Sequence, residues 1–154
     1  MIDGAAVYAS NQAGRTIRID ADTGERLWTI PEGAYGPAWP VGGSIFLLSD
    51  LGALVRADAM TGDLIWTVQL PDYFPRRGIF GPREPTTAIN HFGPIMAGGR
   101  LWVASADGYL RAFSPVDGSK LAEVPLPGGA AAAPAVAGGV LYVPTRDGRL
   151  LAFQ

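Results

Sequence analysis

The stretch Ile19-Asp20-Ala21-Asp22-Thr23-Gly24-Glu25-Arg26-Leu27-Trp28 decides the fold, because it returns as Ala57-Asp58-Ala59-Met60-Thr61-Gly62-Asp63-Leu64-Ile65-Trp66. Both copies read Asp-Ala-x-Thr-Gly, followed by two variable residues, an apolar residue and tryptophan. A motif that recurs in this way is the sequence signature of a repeat architecture. The chain is therefore predicted to consist of a series of repeats.

Four glycines that follow short β-rich runs set the register of the repeats: Gly14, Gly52, Gly108 and Gly148. Six residues before each of them stands an aromatic residue: Tyr8, Phe46, Trp102 and Tyr142. The registers are about 40 residues apart, except that about 16 extra residues lie between Trp66 and Gly98. A period near 40 is typical of β-propellers, in which each repeat forms a four-stranded blade.

We therefore predict an all-β fold with about four blades of four antiparallel strands, the first and the last incomplete. Residues 1–154 form one partial propeller domain, with repeats over about 1–34, 35–70, 92–128 and 129–154 and an insertion over about 71–91. The predicted strands cover 5–10, 15–20, 25–30, 37–41, 44–49, 53–58, 63–68, 93–97, 100–105, 109–114, 119–124, 133–137, 140–145 and 149–153. On this assignment the first repeat lacks its innermost strand and the fourth lacks its outermost strand.

The repeated motif predicts both a turn and a contact between blades. Its aspartates can accept hydrogen bonds from nearby backbone N–H groups, and its glycines can take the left-handed conformation. Each tryptophan is expected to lie on an outer strand, across the neighbouring blade, and to bury roughly 150–250 Å². These structural repeat residues are Asp20, Gly24, Trp28, Asp58, Gly62 and Trp66. In the third repeat Ala122 stands where tryptophan is expected, so a weaker contact is predicted there.

Composition excludes several classes of protein. Apolar residues make up 48% of the chain and charged residues 17%, the opposite of a disordered composition. A net charge of −2 provides no basic field for nucleic acid, and no run of about 20 apolar residues could span a bilayer. With no cysteine, disulfides and thiolate metal sites are excluded. The first four residues carry no basic segment, so either the protein is cytosolic or any export signal lies upstream.

The repeat resembles the PQQ-like β-propeller superfamily, and the chain looks most like the C-terminal half of the BamB-type outer-membrane assembly lipoproteins of α-proteobacteria. The closer resemblance is carried by four segments: residues 36–42 (GPAWPVG), 66–71 (WTVQLP), 93–101 (GPIMAGGRL) and 127–129 (PGG). It covers essentially the whole chain.

The resemblance implies an eight-bladed propeller without catalytic activity, cofactor or metal. Such proteins are tethered by a lipidated cysteine to the periplasmic side of the outer membrane, and act as scaffolds beside the pore-forming insertase. This chain has no lipobox cysteine, and the family's insertase-contact loops would precede residue 1, so no partner-binding residue is transferred by resemblance.

The insertion is the best candidate for a binding site for protein partners. It combines aromatic residues with three arginines, a composition favoured at protein interfaces, in a loop between blades. The candidate residues are Tyr73, Phe74, Arg76, Arg77, Phe80 and Arg83. The alternative is a long loop that folds back on the propeller with its arginines in solvent.

Other polar residues are assigned structural roles. His91, the only histidine, has no cysteine or clustered carboxylate with which to bind zinc, and is expected to form a structural hydrogen bond near an inner strand. Turn carboxylates are expected at Asp20, Asp58, Asp107, Asp117 and Asp147. Ser44, Ser49 and Ser105 belong to no nucleophile-elbow motif.

Two other functions and two assemblies stay open. The chain could be a fragment of a PQQ-dependent quinoprotein dehydrogenase, although it lacks the adjacent cysteine pair and the acidic cluster usual in those enzymes. It could also be an extracytoplasmic ligand-sensing propeller. Since natural proteins avoid exposed sheet edges, we expect either missing N-terminal blades or a homodimer to complete a ring.

Overall fold

A computed structural model describes residues 1–74 and 88–154 of the chain, and every strand in this part is antiparallel to its neighbours. The first sheet consists of β1 (Ile2–Asp3), β2 (Ala6–Asn11), β3 (Arg15–Asp20) and β4 (Arg26–Ile30). The second consists of β5 (Trp39–Val41), β6 (Ser44–Leu48), β7 (Ala53–Asp58) and β8 (Leu64–Gln69). The third consists of β9 (His91–Ala97), β10 (Arg100–Ser105), β11 (Tyr109–Phe113) and β12 (Lys120–Pro125). The fourth has three strands, β13 (Ala135–Ala137), β14 (Val140–Pro144) and β15 (Leu150–Phe153).

Within each sheet the strands are hydrogen-bonded in chain order, which confirms the predicted partial propeller with blades of four antiparallel strands. The predicted strand bounds agree with the observed ones to within about two residues, because they were set by turn glycines and alternating apolar residues.

One prediction about the strands was wrong. The first sheet does have an innermost strand, since Ile2 pairs with Val7 and Asp3 pairs with Ala6. Gly4, at φ 55°, provides the left-handed residue of the tight turn between them. A two-residue strand is too short to show the alternation of apolar residues by which strands are recognised in sequence.

The sheets stack face to face, and each pair of neighbours shares an apolar layer. We call the face toward the next sheet in chain order the front face, and the other the back face. Between the first and second sheets, Tyr8 and Ile30 pack with Ile45, Leu47 and Val55. Because β6 is covered on both faces, all five of its residues are buried, as its apolar sequence predicted.

The next two layers repeat this arrangement. The front face of the second sheet packs on the back face of the third through Phe46, Leu48, Leu54, Leu101, Val103 and Phe113. The front face of the third sheet packs on the back face of the fourth through Ile95, Ala104, Leu110, Leu141 and Val143. Each of the three layers therefore joins the front face of one sheet to the back face of the next.

The repeated aspartates form the predicted turns. Asp58 Oδ1 accepts hydrogen bonds from the backbone N–H of Met60 at 2.8 Å and of Thr61 at 2.9 Å. These bonds, that from Thr61 most, hold the pKa of the Asp58 carboxyl below its usual value. Asp20 makes the equivalent bonds to Asp22 and Thr23, and its pKa is lowered, chiefly by the bond from Thr23.

The tryptophans connect successive sheets as predicted. Trp28 Nε1 donates to the carbonyl of Ala59 at 3.2 Å, and Trp66 Nε1 donates to that of Val116 at 3.1 Å. Both acceptors lie in the turn between the third and fourth strands of the next sheet. At the equivalent place Ala122 carries no ring, so the third sheet makes no such contact; Trp102 instead donates to Ala97 of its own sheet.

An arginine beside each of these two tryptophans makes a second contact with the next sheet, which was not predicted from the sequence. Arg56, paired with Trp66 across β7 and β8, donates to the carbonyls of Pro115 and Val116, both at 3.0 Å. Arg18, paired with Trp28, reaches the carbonyl of Met60 at 3.4 Å. Each connection is thus a pair of side chains on one sheet that binds a turn of the next.

Candidate functional site at the base of the insertion

The insertion leaves the second sheet and returns to the third at one place. The backbone N–H of Ile89 donates to the carbonyl of Asp72 at 2.9 Å, and Tyr73 pairs with Ala88 in an isolated antiparallel bridge. Both ends of the insertion are therefore joined at its base, between the second and third sheets.

Gln69, the last residue of β8, fixes the outgoing chain. Its Nε2 lies 2.7 Å from Asp72 Oδ1, and it also contacts the carbonyls of Leu51 at 3.1 Å and Gly52 at 3.3 Å. A single amide thereby links the base of the insertion to the turn between β6 and β7.

His91, the first residue of β9, fixes the same segment from the other side. Its Nε2 lies 3.0 Å from the carbonyl of Pro71, which can only accept, so Nε2 carries the proton. Burial lowers the pKa of this histidine and so favours the neutral ring. In the neutral ring Nδ1 is unprotonated and accepts from Ser105 Oγ at 2.7 Å. The predicted structural hydrogen bond near an inner strand is confirmed.

The contact between Ser105 and His91 is not a catalytic dyad. Ser105 is fully buried, so a substrate cannot reach its hydroxyl. The other ring nitrogen of His91 faces a backbone carbonyl, whereas a serine hydrolase has a carboxylate there. The other two serines also have structural partners: Ser44 Oγ accepts from Arg56 Nε, and Ser49 Oγ accepts from the N–H of Ala53.

A buried ion-pair network lies near His91. Arg111 Nη2 contacts Asp107 Oδ2 at 2.6 Å, and its Nε contacts Glu123 Oε2 at 2.9 Å. The side chains of Arg111 and Asp107 are 6% and 9% exposed, so this pair is largely removed from water. Tyr109 packs with its ring centroid 5.2 Å from the guanidinium carbon. The prediction that Asp107 is only a turn residue was wrong.

The two remaining turn carboxylates, Asp117 and Asp147, have different hydrogen-bond partners. Asp117 accepts from the N–H and the hydroxyl of Ser119, as a turn residue should. Hydrogen bonds with the side chain of Ser114, the largest cause, and with Ser119 lower the pKa of its carboxyl to about 2. Asp147 pairs with the side chain of Arg149, which was not predicted. Sequence spacing could have suggested it, since Asp147 and Arg149 are two residues apart across a turn glycine.

A groove of about 660 Å³ opens beside the base of the insertion. Three of the side chains that line it are strongly exposed: Tyr35 at 72%, Leu51 at 76% and Tyr73 at 56%. Two carboxylates, Asp50 and Asp72, also line the groove. The surface is thus apolar and aromatic with acidic groups, a composition suited to binding another chain.

The structure locates only part of the predicted binding loop. Tyr73 lines the groove, and Phe74, the next residue in the chain, is half-buried. Arg76, Arg77, Phe80 and Arg83 lie outside the described residues. Sequence reasoning missed Tyr35 and Leu51, because they come from the connections before β5 and after β6, which meet the insertion only in the fold.

In residues 1–74 and 88–154 no three His, Asp or Glu side chains come together as metal ligands could. Nor does this part of the chain contain a helix long and apolar enough to cross a bilayer.

Comparison with known proteins identifies the family. The family model described as outer membrane protein assembly factor BamB matches residues 1–68 and again residues 52–154, and so accounts for the whole chain. The chain belongs to the BamB family. No curated protein sequence matches it significantly.

Solved structures share its fold at low sequence identity. BamB from Moraxella catarrhalis is 20% identical with a TM-score of 0.73, over 97% of this chain and 43% of that one. The computationally designed Ika4 protein is 13% identical with a TM-score of 0.72, over 99% of this chain and 86% of that one. Quinohemoprotein alcohol dehydrogenase from Comamonas testosteroni is 17% identical with a TM-score of 0.62, over 80% of this chain and 20% of that one. The chain therefore spans less than half the length of the BamB structure.

Proposed function

We propose that this BamB-family chain is a non-catalytic scaffold that binds protein partners in the machinery that assembles β-barrel proteins in the outer membrane. It acts on the periplasmic side of that membrane. The family match along the whole chain carries the proposal. The quinohemoprotein alcohol dehydrogenase of similar fold is matched over only 20% of its length.

The groove at the base of the insertion is the proposed contact surface. Tyrosines at interfaces contribute large contact areas at a small cost in conformational entropy, and Tyr35 and Tyr73 are both exposed there. Gln69 and His91 fix the backbone next to Tyr73, so little conformational entropy is lost on binding. Phe74, Arg76, Arg77, Phe80 and Arg83 of the insertion are proposed to extend the same surface.

Site-specific crosslinking in the envelope of a Gram-negative host tests this proposal. A photoreactive amino acid in place of Tyr73 is expected to capture a component of the β-barrel assembly machinery. Val116, 74% exposed in a turn of the third sheet, is the matched control position and is expected to capture none. Equal capture from both positions, or none from Tyr73 in a correctly folded protein, would contradict the assignment of the groove.

A dehydrogenase fragment is the second candidate, favoured by the structural similarity to quinohemoprotein alcohol dehydrogenase. If the chain bound that enzyme class's cofactor, added PQQ with Ca²⁺ should raise its melting temperature, since a ligand that binds only the folded state stabilises it. We expect no shift. A saturable increase would favour the dehydrogenase over the scaffold.

A further inference from the structure

The groove at the base of the insertion carries negative charge beside its exposed tyrosine rings. Asp50 and Asp72 both line it, whereas no lysine or arginine of residues 1–74 and 88–154 does. His91 also lines it, and burial lowers the pKa of this histidine and so favours its neutral form. The described lining is therefore complementary to a cationic partner.

The two aspartates differ in what they bind. Asp72 Oδ1 accepts from Gln69 Nε2 at 2.7 Å. Asp50 is half-buried, and its backbone N–H donates to the carbonyl of Gly33 at 3.0 Å. Within the described part of the chain, the Asp50 carboxylate forms no ion pair. It is thus the group in the groove that is available to a cation.

A third carboxylate lies beside Asp50. The Asp50 carboxylate occupies the space that a side chain on Gly33 would fill, which places it next to the chain at Glu32. Glu32 is half-buried, and burial first, then the charge of Asp50, raises the pKa of its carboxyl. Two carboxylates so placed repel each other, and a cation that contacts both would offset the repulsion.

The equivalent turns of the next two sheets show what such a carboxylate binds. In the turn between the second and third strands of the third sheet, Asp107 pairs with Arg111. In the same turn of the fourth sheet, Asp147 pairs with Arg149. In both sheets a nearby arginine of the same sheet thus neutralises the aspartate of this turn.

The second sheet has no arginine at either position. The repeat register places Val55 at the position of Arg111 and Ala53 at that of Arg149, and both are buried in the apolar core. Asp50 therefore stands in a turn that elsewhere holds a guanidinium, without an arginine in its own sheet to supply one.

The surroundings of Arg111 show how this chain holds a guanidinium. Two carboxylates contact it, from Asp107 at 2.6 Å and from Glu123 at 2.9 Å. The ring centroid of Tyr109 lies 5.2 Å from its central carbon. The groove offers the same three kinds of group in Asp50, Glu32 and the 72% exposed Tyr35.

From this comparison we infer that the groove binds an arginine side chain of the partner protein, paired with Asp50 and Glu32 beside the ring of Tyr35. Arginine suits the site better than lysine, because its planar guanidinium can bond two carboxylates at once and stack on an aromatic ring. The inference rests on the proposed function, since it assigns the chemistry of the partner at the same surface.

Binding of short peptides tests this chemistry. Acetyl-Leu-Arg-Leu-amide and the same peptide with citrulline in place of arginine differ in charge but hardly in shape. The ring of His91 lines the groove and belongs to the only histidine, so its NMR resonances report occupancy. At low salt the arginine peptide is expected to bind saturably and about 10-fold more tightly than the citrulline peptide. Equal affinities, or no shift with the arginine peptide, would overturn the inference.

Two variants locate the pairing. Asp50→Asn and Glu32→Gln keep the shape of each side chain and remove one charge, so each should reduce the preference for arginine to about twofold or less. The matched control is Asp22→Asn, which removes the same charge from an exposed turn residue outside the groove. It is expected to keep the full preference, and circular dichroism checks that each variant is folded. A preference that survives both groove substitutions, or one that Asp22→Asn also abolishes, would contradict the proposed pairing.

The crosslinking experiment separates this inference from the proposed function. With the photoreactive residue at position 73, Asp50→Asn is expected to capture the assembly component several-fold less than the parent chain, and Asp22→Asn as much as the parent. Equal capture by the parent and Asp50→Asn would refute the arginine contact and leave the proposed function intact. No capture by any of these folded proteins would instead refute the proposed function.

Discussion

The indole ring of Trp66 lies directly over Gly118 of the next sheet. A β-carbon built on Gly118 would stand 3.0 Å from Trp66 Cε3 and 2.7 Å from Val68 Cγ2. The glycine that ends the repeated turn thus serves two purposes, since its φ of 75° favours glycine and its missing side chain makes room for the tryptophan of the preceding sheet. Trp28 lies over Gly62 in the same way.

Alanine substitutions separate these two roles. Gly118→Ala and Gly24→Ala impose the same backbone strain, because the two φ angles are 75° and 74°. Only Gly118 has a ring above it, whereas a β-carbon on Gly24 meets nothing within 4 Å. We expect Gly24→Ala to lower the free energy of unfolding by about 1–2 kcal/mol, and Gly118→Ala by about 1–3 kcal/mol more. Urea unfolding measures both free energies. Equal losses in the two variants would show that the Trp66 ring shifts to accommodate the new β-carbon without loss of stability.

A stabilising substitution follows from comparing the two arginines. Arg56 Nε donates to Ser44 Oγ at 3.0 Å, whereas Arg18 Nε is buried with no hydrogen-bond partner in the described part of the chain. The residue of the first sheet equivalent to Ser44 is Ala6. We expect Ala6→Ser to raise the free energy of unfolding by about 1 kcal/mol, since it completes the bond that the second sheet already makes.

The matched control for that substitution is Ala6→Ser in an Arg18→Met background. There the new hydroxyl has no guanidinium to meet, so the gain should disappear. A gain of the same size in both backgrounds would assign the effect to the serine itself.

The buried pair of Arg111 and Asp107 is expected to behave as a unit. Arg111→Met leaves the Asp107 carboxylate buried without its partner, and should cost about 3–5 kcal/mol of stability. Adding Asp107→Asn removes the stranded charge, so the double variant should be more stable than Arg111→Met alone. Aliphatic residues already occupy the equivalent positions at Ile17, Val55 and Leu151. Additive losses in this cycle would mean that the two side chains act independently.

His91 gives the base of the insertion a defined dependence on pH. The folded state lowers its pKa from the ordinary value of 6.5, so the unfolded chain takes up a proton more readily. Its contribution to stability is therefore complete above about pH 6.5 and declines as the pH falls toward the folded pKa. As the chain has a single histidine, its ring resonances can be followed by NMR without ambiguity.

The control for this titration is His91→Gln, whose amide cannot titrate. Just below pH 6.5, the free energy of unfolding of this variant should then vary less with pH than that of the parent chain. Because Asp72, Asp107 and Arg111 lie near the ring, the comparison is made at constant ionic strength. A folded His91 that titrates above 6.5 would contradict the assignment of a neutral, hydrogen-bonded ring.

The contacts of Trp28 and Trp66 with the turns of the next sheets show how much of the fold the sequence alone determines. Period, turn glycines and alternating apolar residues are local properties of the chain, so they were sufficient to predict the blades, the strand bounds and the contacts of both tryptophans. They were not sufficient for β1, which is too short to show a period. They also left the pairing of Arg111 with Asp107 unrecognised, since an arginine at an apolar register position has no local explanation.

Only the tertiary structure decided what surrounds the base of the insertion. Tyr35, Leu51 and Tyr73 come from three different connections, and no spacing along the chain relates them. Their meeting depends on how the second and third sheets stack. The repeat is recognisable in the sequence because each blade has the same spacing of glycine and aromatic residues. A surface formed by several repeats depends instead on how the blades pack together.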